Sequence, residues 1–332
     1  MDTRRAFIKK SGLGALTLSF PIQINLDPII SKTHFDVIIV GGSYAGLAAA
    51  MALGRALRTV LIIDSGKPCN RQTPYSHNFL TQDGRPPNEI ASLGKQQVEN
   101  YNTISFLNDL AISGNRTKKG FEIQTATNKT IFANKLIFAS GIKDIKPKIN
   151  GFDACWGISI LHCPYCHGYE VKNKKTGILG NGDYGINFSK LISNWTQDLT
   201  LFTNGKSILT QEETKLLEKH QIEIVEKKIE YLEHQNGYIQ NTVFSDGTKT
   251  SIEAIYTKIP FEQHCKIPEQ LGCELTDNGY IKTDHLQKTT IPDIYACGDN
   301  TTRMRTVANA VAMGTTAGMM LNKEYVIENF NK

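Results

Sequence analysis

Cys163 and Cys166 stand two residues apart, with His162 before the first and His167 after the second. Two thiols at that spacing can close to a disulfide and open again, and each cycle moves two electrons. The thiolate is the reactive form, and a free thiol near pKa ~8.5 is mostly protonated at neutral pH. An unperturbed imidazole, near ~6.5, exchanges its proton close to working pH. His167 is therefore the candidate acid–base partner of the pair Cys163 and Cys166. Zinc is a competing use for these ligands. One cysteine pair with a histidine does not close a tetrahedral site, however, and no second CxxC or spaced histidine pair completes it, so no metal ligand is assigned. A purely structural disulfide is the other competitor. A loop this tight restrains little chain, which ranks that reading below a redox role.

A redox pair needs a place to send electrons, and the elements around it point to dinucleotides. Phe35 to Val40 is a continuous apolar run, as a buried parallel strand requires. Gly41, Gly42, Ser43, Tyr44, Ala45 and Gly46 follow as a tight turn, then a helix to about Leu57, then a strand Val60–Ile63 ending on Asp64. This is a strand–turn–helix–strand unit of dinucleotide type. The helix start offers free N–H groups to a pyrophosphate, and Asp64 stands where a carboxylate accepts from a ribose. Ser43 replaces the usual middle glycine, so a Cβ must be tolerated there. A second unit carries a complete Gly-x-Gly-x-x-Gly at Gly180, Gly182 and Gly185. Eighteen residues beyond Gly46 lies Asp64, whereas eighteen beyond Gly185 lies Thr203. An acid there suits NAD and a nearby arginine suits NADP. This strand end offers Thr203, Asn204 and Gly205, with Lys206 as its one charge. NAD(P)H is therefore doubtful, and the alternative is that these glycines only let helix and strand pack closely.

Near the other end, "TTIPDIYACGD" closes on Gly298 and Asp299. In two-dinucleotide flavoproteins a short strand ends in Gly-Asp, and the aspartate meets the ribitol of FAD. An ordinary Gly-Asp turn is the bland alternative. The small-residue stretch that follows reads as a helix packed against a cofactor, its start near Thr306 and Val307.

Taken in order, these motifs resemble the low-molecular-weight thioredoxin reductase family over nearly the whole chain after residue 33. "GGSYAGL", "CPYCHGYE" and "LFTNG" resemble most closely a branch that contains FAD-dependent dithiol oxidases. The resemblance implies an α/β fold of two three-layer, Rossmann-like dinucleotide domains, the second inserted into the first. Residues 33–147 and 284–332 would form the FAD domain. Residues 148–283 would form the insert, with hairpin turns at Asn236-Gly237 and Asp246-Gly247. It also implies bound FAD, a homodimer, Cys166 facing the flavin, Cys163 exchanging with substrate, and His77 approaching the flavin. Two departures stand out. The family's aspartate after the second cysteine is His167 here, and its His-Arg-Arg phosphate cluster is replaced by "FTNGK". The expected function is an FAD-dependent thiol–disulfide oxidoreductase working as a dithiol oxidase on a small dithiol or a thioredoxin-like protein. The alternatives are an NAD(P)H-dependent thioredoxin-disulfide reductase, with Lys206 serving the phosphate, and a non-enzymatic flavin- or metal-binding protein. A glutaredoxin-like use of CPYC is set aside, because the motif lies mid-chain between dinucleotide units.

The whole chain is consistent with this. Its 332 residues allow two domains. Of a formal charge of +5, the first eleven residues hold a net +3, leaving too little elsewhere to argue for nucleic acid. No run of 18 apolar residues is present. "TRRAFIKKSGLGALTLSF" resembles a twin-arginine export signal, with Arg4-Arg5 before a mild apolar stretch. No clear Ala-x-Ala site follows, so the segment would be able to stay on as a membrane tether. Residues 1–32 are thus set outside the fold, with a periplasmic destination expected and a basic tail on a cytoplasmic protein as the alternative. Cys69, Cys155, Cys265, Cys273 and Cys297 carry no motif, although Cys155 and Cys265 are candidates for further thiols near the site.

Overall fold

The computed structural model describes residues 33–331. Residues 1–32, where an export signal is expected, lie outside the described residues.

The apolar run His34–Val40 forms the middle of a seven-stranded sheet. Val37, Ile38 and Ile39 are fully buried, because layers cover both faces of the strand. Across the sheet the order is Ile104–Asn108, Val60–Asp64, His34–Val40, Thr130–Phe138, Gly120–Thr125 and Ala111–Thr117. The short strand Ile294–Ala296 pairs with the far side of Thr130–Phe138. The strands from Ile104–Asn108 to Thr130–Phe138 are parallel, and Ile294–Ala296 runs with them. The strands Gly120–Thr125 and Ala111–Thr117 pair antiparallel. All the parallel strands deliver their carboxyl ends to one edge, where ligands of such sheets bind.

On one face the helices Tyr44–Arg55 and Val307–Phe330 lie in backbone contact. A Cβ on Gly314 would stand 2.1 Å from the Ala45 carbonyl oxygen, and one on Gly318 would stand 2.6 Å from that of Ala49. The first and last helices of the described chain are thereby locked side by side. Ala49, Leu53, Ala317 and Leu321 share the core beneath them.

The second dinucleotide unit is a five-stranded parallel sheet, ordered Glu223–Val225, Leu199–Phe202, Thr176–Leu179, Ala254–Thr257 and Ile160–Leu161. A three-stranded antiparallel sheet flanks it, Ile229–Gln235 with Tyr238–Phe244 and Lys249–Ser251. Its first turn is Asn236-Gly237, both residues at positive φ (52° and 84°), the geometry that a tight two-residue hairpin demands.

The chain crosses between the two units along a short antiparallel pair, Ile142–Asp144 with Phe261–Gln263. The return crossing therefore lies near Phe261 and not near Thr283, as the motif order suggested. Residues 264–283 belong to the first unit. Helix Ile267–Gln270 packs Ile267 against Gly114, and Ile281 N donates to the Asn300 carbonyl at 2.8 Å. Ile267 and Ile281 are both buried there. No turn signal in the sequence separates this return segment from the insert.

Gly314→Ala should force the two helices apart. The expected loss is about 1–3 kcal/mol of unfolding free energy, the usual cost of overpacking, read from urea melting. An unchanged midpoint would show that the helices spread without penalty.

Candidate active site

A cleft of about 980 Å³ runs along the carboxyl edge of the first sheet, from the Gly41–Ala45 turn to the CPYC turn. Gly41, Gly42, Ser43, Ala45, Asp64, Gly298, Asp299, Thr306 and Val307 all line it. Gly46 does not. A Cβ there would stand 1.9 Å from the Gly41 carbonyl oxygen, so its part is to close the turn onto the helix. Gly41 has φ of +106°, and a Cβ on it would stand 2.3 Å from the Ala139 carbonyl oxygen. Ser43 begins the helix Tyr44–Arg55 with no side-chain cap bond, and no acid stands in the first turn. The free N–H groups there suit a phosphate. Asp64 ends its strand and accepts only from Gly66 N, at 3.2 Å, among the hydrogen bonds of its side chain.

At the cleft's other end a buried charge cluster gathers. Arg305 bonds Asp144 through both terminal nitrogens, at 2.8 and 3.0 Å, and reaches Asp299 with Nε at 3.3 Å. Burial raises the Asp299 pKa, and Arg305 opposes the rise. Cys69 Sγ approaches Asp299 Oδ2 at 3.7 Å, and the crowding around it pushes its thiol up to about 12. Arg305, Asp144 and Cys69 carry no motif, so sequence reading passed over them. Thr306 caps the helix Val307–Phe330 by accepting from Asn309 N at 3.1 Å. Two buried polar atoms of the cleft, Ser140 Oγ and His162 Nε2, have no hydrogen-bond partner among the described residues.

These features fit FAD. Asp64 would hold its ribose, the Gly41–Ala45 turn its pyrophosphate, Asp299 its ribitol, and the helix start at Thr306 and Val307 the polar edge of its ring. Cys265 also lines the cleft, its thiol pushed up to about 11 by burial. Cys155 does not line it, and sits in the core beside Trp156.

Cys163 and Cys166 form a disulfide at the start of the short helix Pro164–His167, their Cα atoms 5.3 Å apart. Cys163 caps that helix, its Sγ accepting from Cys166 N at 3.1 Å. A thiolate on Cys163 would keep this N–H bond, which favours the ionised sulfur. His162 and His167 line the cleft on one side of the pair, and Pro164 and Tyr165 line a second, smaller pocket. His162 stacks on Trp156 with ring centroids 5.7 Å apart.

Burial corrects the expectation for the imidazoles. His167 is lowered to about 4, by desolvation first and then by His77. His162 is lowered to about 3, by desolvation first and then by Arg305. Both rings are neutral at neutral pH and are weak bases there, not groups poised at half-protonation. His77 is corrected as well. It does not line the large cleft and lies in the smaller pocket, 3.5 Å from Glu170 and 3.7 Å from Asp83.

The second Gly-x-Gly-x-x-Gly is covered by its own chain. Asn181 Nδ2 donates to the Lys206 carbonyl at 2.9 Å, while Asn181 Oδ1 accepts from Ile208 N at 3.0 Å and from Gly182 N at 2.9 Å. Ile208 thereby stands against Gly182, so that a Cβ on that glycine would meet it at 3.0 Å. Gly180 and Gly185 face Tyr184 and Leu201 respectively. Thr203 is buried and turned inward, its Oγ1 donating to the Gly205 carbonyl at 2.6 Å.

The depressed histidines make stability pH-dependent. Unfolded, each takes a proton near ~6.5. Folded, they do so only near about 4 and about 3. Between those limits the unfolded chain binds more protons, so acid destabilises the fold. The melting temperature should fall as pH drops from about 6.5 to about 4, and His162→Phe should flatten that dependence. An equal slope in the variant would remove His162 from the effect.

The comparisons agree with this architecture. Residues 35–314 match the family model described as pyridine nucleotide-disulphide oxidoreductase. "Thioredoxin reductase tcpT" of Claviceps purpurea is 28% identical over 304 residues, covering 88% of this chain and 95% of that one. Among solved structures, TrxB of Bacillus anthracis is 30% identical with a TM-score of 0.85, over 89% of this chain and 99% of its own. An oxidoreductase of Agrobacterium tumefaciens is 33% identical with a TM-score of 0.83, over the same shares of 89% and 99%. With that family model matched over residues 35–314, across both Rossmann-like units and the cysteine pair, the chain belongs to the pyridine nucleotide-disulphide oxidoreductase family, enzymes that act on sulfur groups.

Proposed function

We propose that this enzyme is an FAD-dependent dithiol oxidase that works without a nicotinamide cofactor. The observation that carries the reading is the contrast between its two dinucleotide units. The first opens into a cleft that reaches the histidines beside the disulfide. The second has its glycine turn bridged by Asn181, Lys206 and Ile208, and its selectivity position is an inward-turned Thr203. With electrons not supplied from that side, they enter from a thiol.

In this reading a substrate thiolate attacks Cys163 Sγ. The Cys163–Cys166 bond breaks, and Cys166 leaves as the thiolate. The second substrate thiol then attacks the mixed disulfide and releases Cys163. The substrate is oxidised by two electrons and the pair is reduced by two. His167, adjacent to Cys166 and too weak a base at about 4 to hold a thiol proton, accepts a hydrogen bond from the S–H form, while the attacking thiols ionise to solvent and the leaving sulfurs are reprotonated from it. FAD held by Asp64, the Gly41–Ala45 turn and Asp299 would supply a two-electron acceptor for the reduced pair, with dioxygen or another acceptor as the final sink. The runner-up, a thioredoxin-disulfide reductase, is favoured by the names of the relatives, and would need the Lys206–Ile208 bridge to open for NADPH.

Rapid mixing separates the two. A dithiol such as dithiothreitol should bleach the bound flavin much faster than NADPH or NADH, and air should restore the colour. Full bleaching by micromolar NADPH within milliseconds would hand the case to the reductase.

The direction agrees with an oxidising destination, where disulfide formation is favoured. The twin arginine of residues 4 and 5 motivates export to the periplasm as part of this proposal. Arg4→Lys with Arg5→Lys should retain the protein in the cytoplasm, as cell fractionation would read. Cytoplasmic residence of the unchanged protein would refute export and leave the thiol chemistry standing.

A further inference from the structure

The second dinucleotide unit keeps the frame of a phosphate-binding turn. Gly180, Gly182 and Gly185 lead from the strand Thr176–Leu179 into the helix Gly182–Ile192. A dinucleotide in such a unit lays its pyrophosphate on the helix start. Here one side chain draws the chain's own loop to that place. Asn181 Nδ2 donates to the Lys206 carbonyl at 2.9 Å, and Asn181 Oδ1 accepts from Ile208 N at 3.0 Å. A single amide therefore grips the loop at two points, two residues apart.

The grip is made at the surface and not in the core. Ile208 is 74% exposed, although a Cβ on Gly182 would meet its side chain at 3.0 Å. The isoleucine lies over the turn and is left in water, which costs burial that an inward position would gain. Each hydrogen bond of this kind favours a closed state by roughly two- to tenfold. The lost site is thus held shut by a few weak contacts on an intact frame.

The charges around the loop indicate which nucleotide is excluded. Thr203 N donates to the Val225 carbonyl at 3.1 Å, so Glu226 follows directly beside the strand end that would read a ribose. Glu226 Oε1 accepts from Ser207 N at 3.0 Å, which fixes the carboxylate against the loop. An acid suits a free 2′-hydroxyl and repels a 2′-phosphate. Lys206 is the loop's one cation, and its carbonyl, not its ammonium, takes part in the bridge.

We infer that Asn181 is a latch that shuts the second turn with the loop Lys206–Ile208, and that the ligand it shuts out is NADH rather than NADPH. This rests on the reading that the enzyme works without a nicotinamide cofactor. The exclusion is the work of one polar side chain and one exposed isoleucine, and it is reversible by substitution.

The test uses the FAD-loaded protein, Asn181→Gly, and Asn181→Gly with Ile208→Ser. Glycine is tolerated at the start of a helix, so the first change leaves the helix in place. Hydrogen exchange in the peptide that contains Ser207 and Ile208 should quicken by about two- to tenfold in Asn181→Gly. This readout needs no nucleotide. In equilibrium dialysis the unaltered protein should retain neither NADH nor NADPH, and the double variant should retain NADH more tightly than NADPH. Dithiothreitol bleaching in the same samples checks that fold and flavin are intact. Unchanged exchange, or no nucleotide retained by the double variant while dithiothreitol still bleaches, would overturn the latch and leave the oxidase reading standing. NADPH retained more tightly than NADH would overturn the ligand assignment in favour of Lys206. Rapid flavin bleaching of the unaltered protein by NADH or NADPH would sink the parent reading, and the latch with it.

Discussion

One guanidinium holds the reacting end of the molecule together. Arg305 bonds Asp144 with two nitrogens and Asp299 with a third. Asp144 ends the strand that leaves the first sheet, Asp299 ends the Gly-Asp turn, and Arg305 itself leads into the helix Val307–Phe330. Two chain segments far apart in sequence, at Asp144 and at Asp299 to Arg305, therefore meet on one side chain. Two carboxylates buried near one cation would repel each other without it, and the charge-assisted fork fixes both in orientation as well as charge. The Asp299 carboxylate, the crossing to the second unit and the start of the long helix are tied to one another through this side chain.

Dryness sets the chemistry of the cysteine pair. His162 and His167 differ from solvent histidine because burial penalises their charged forms, and for His162 the opposing pull of Asp144 is too small to offset it. A neutral imidazole whose conjugate acid is so strong is a weak base, so beside the disulfide it can accept a hydrogen bond from a thiol without holding its proton. Cys163 gains separately from its place at a helix start, where a backbone N–H meets its sulfur. Thiolate character at Cys163 therefore rests on that N–H, and not on proton uptake by the rings.

The two dinucleotide units show how one motif serves two ends. Both have glycines at the strand–helix turn, and in both the glycines permit close packing. In the first, Gly41 lets the backbone pass the Ala139 carbonyl and leaves the turn open to the cleft. In the second, the polar side chain of Asn181 draws the loop Lys206–Ile208 across the same place. The difference lies in what a neighbouring loop does with its free hydrogen bonds, and not in the glycines.

The sequence by itself determined the elements that local chemistry dictates. The apolar run before Gly41, the acid at Asp64, the Gly-Asp turn, the Asn236-Gly237 hairpin and the CPYC pair are each readable because period, turn geometry or spacing acts over a few residues. It also shows Thr203, and neither an acid nor an arginine, eighteen residues beyond Gly185. Tertiary structure decided the rest. Arg305, Asp144 and Cys69 meet only after the chain has crossed twice between sheets. The return crossing falls near Phe261 because Ile267 and Ile281 complete the first unit's core. His77 stands beside Glu170 and not in the cleft, and the tyrosines of CPYC and "GYE" share a pocket with Trp195. None of these has a local signature. Each depends on burial and on contacts between residues distant in sequence, and desolvation alone moved the two histidines away from their ordinary pKa.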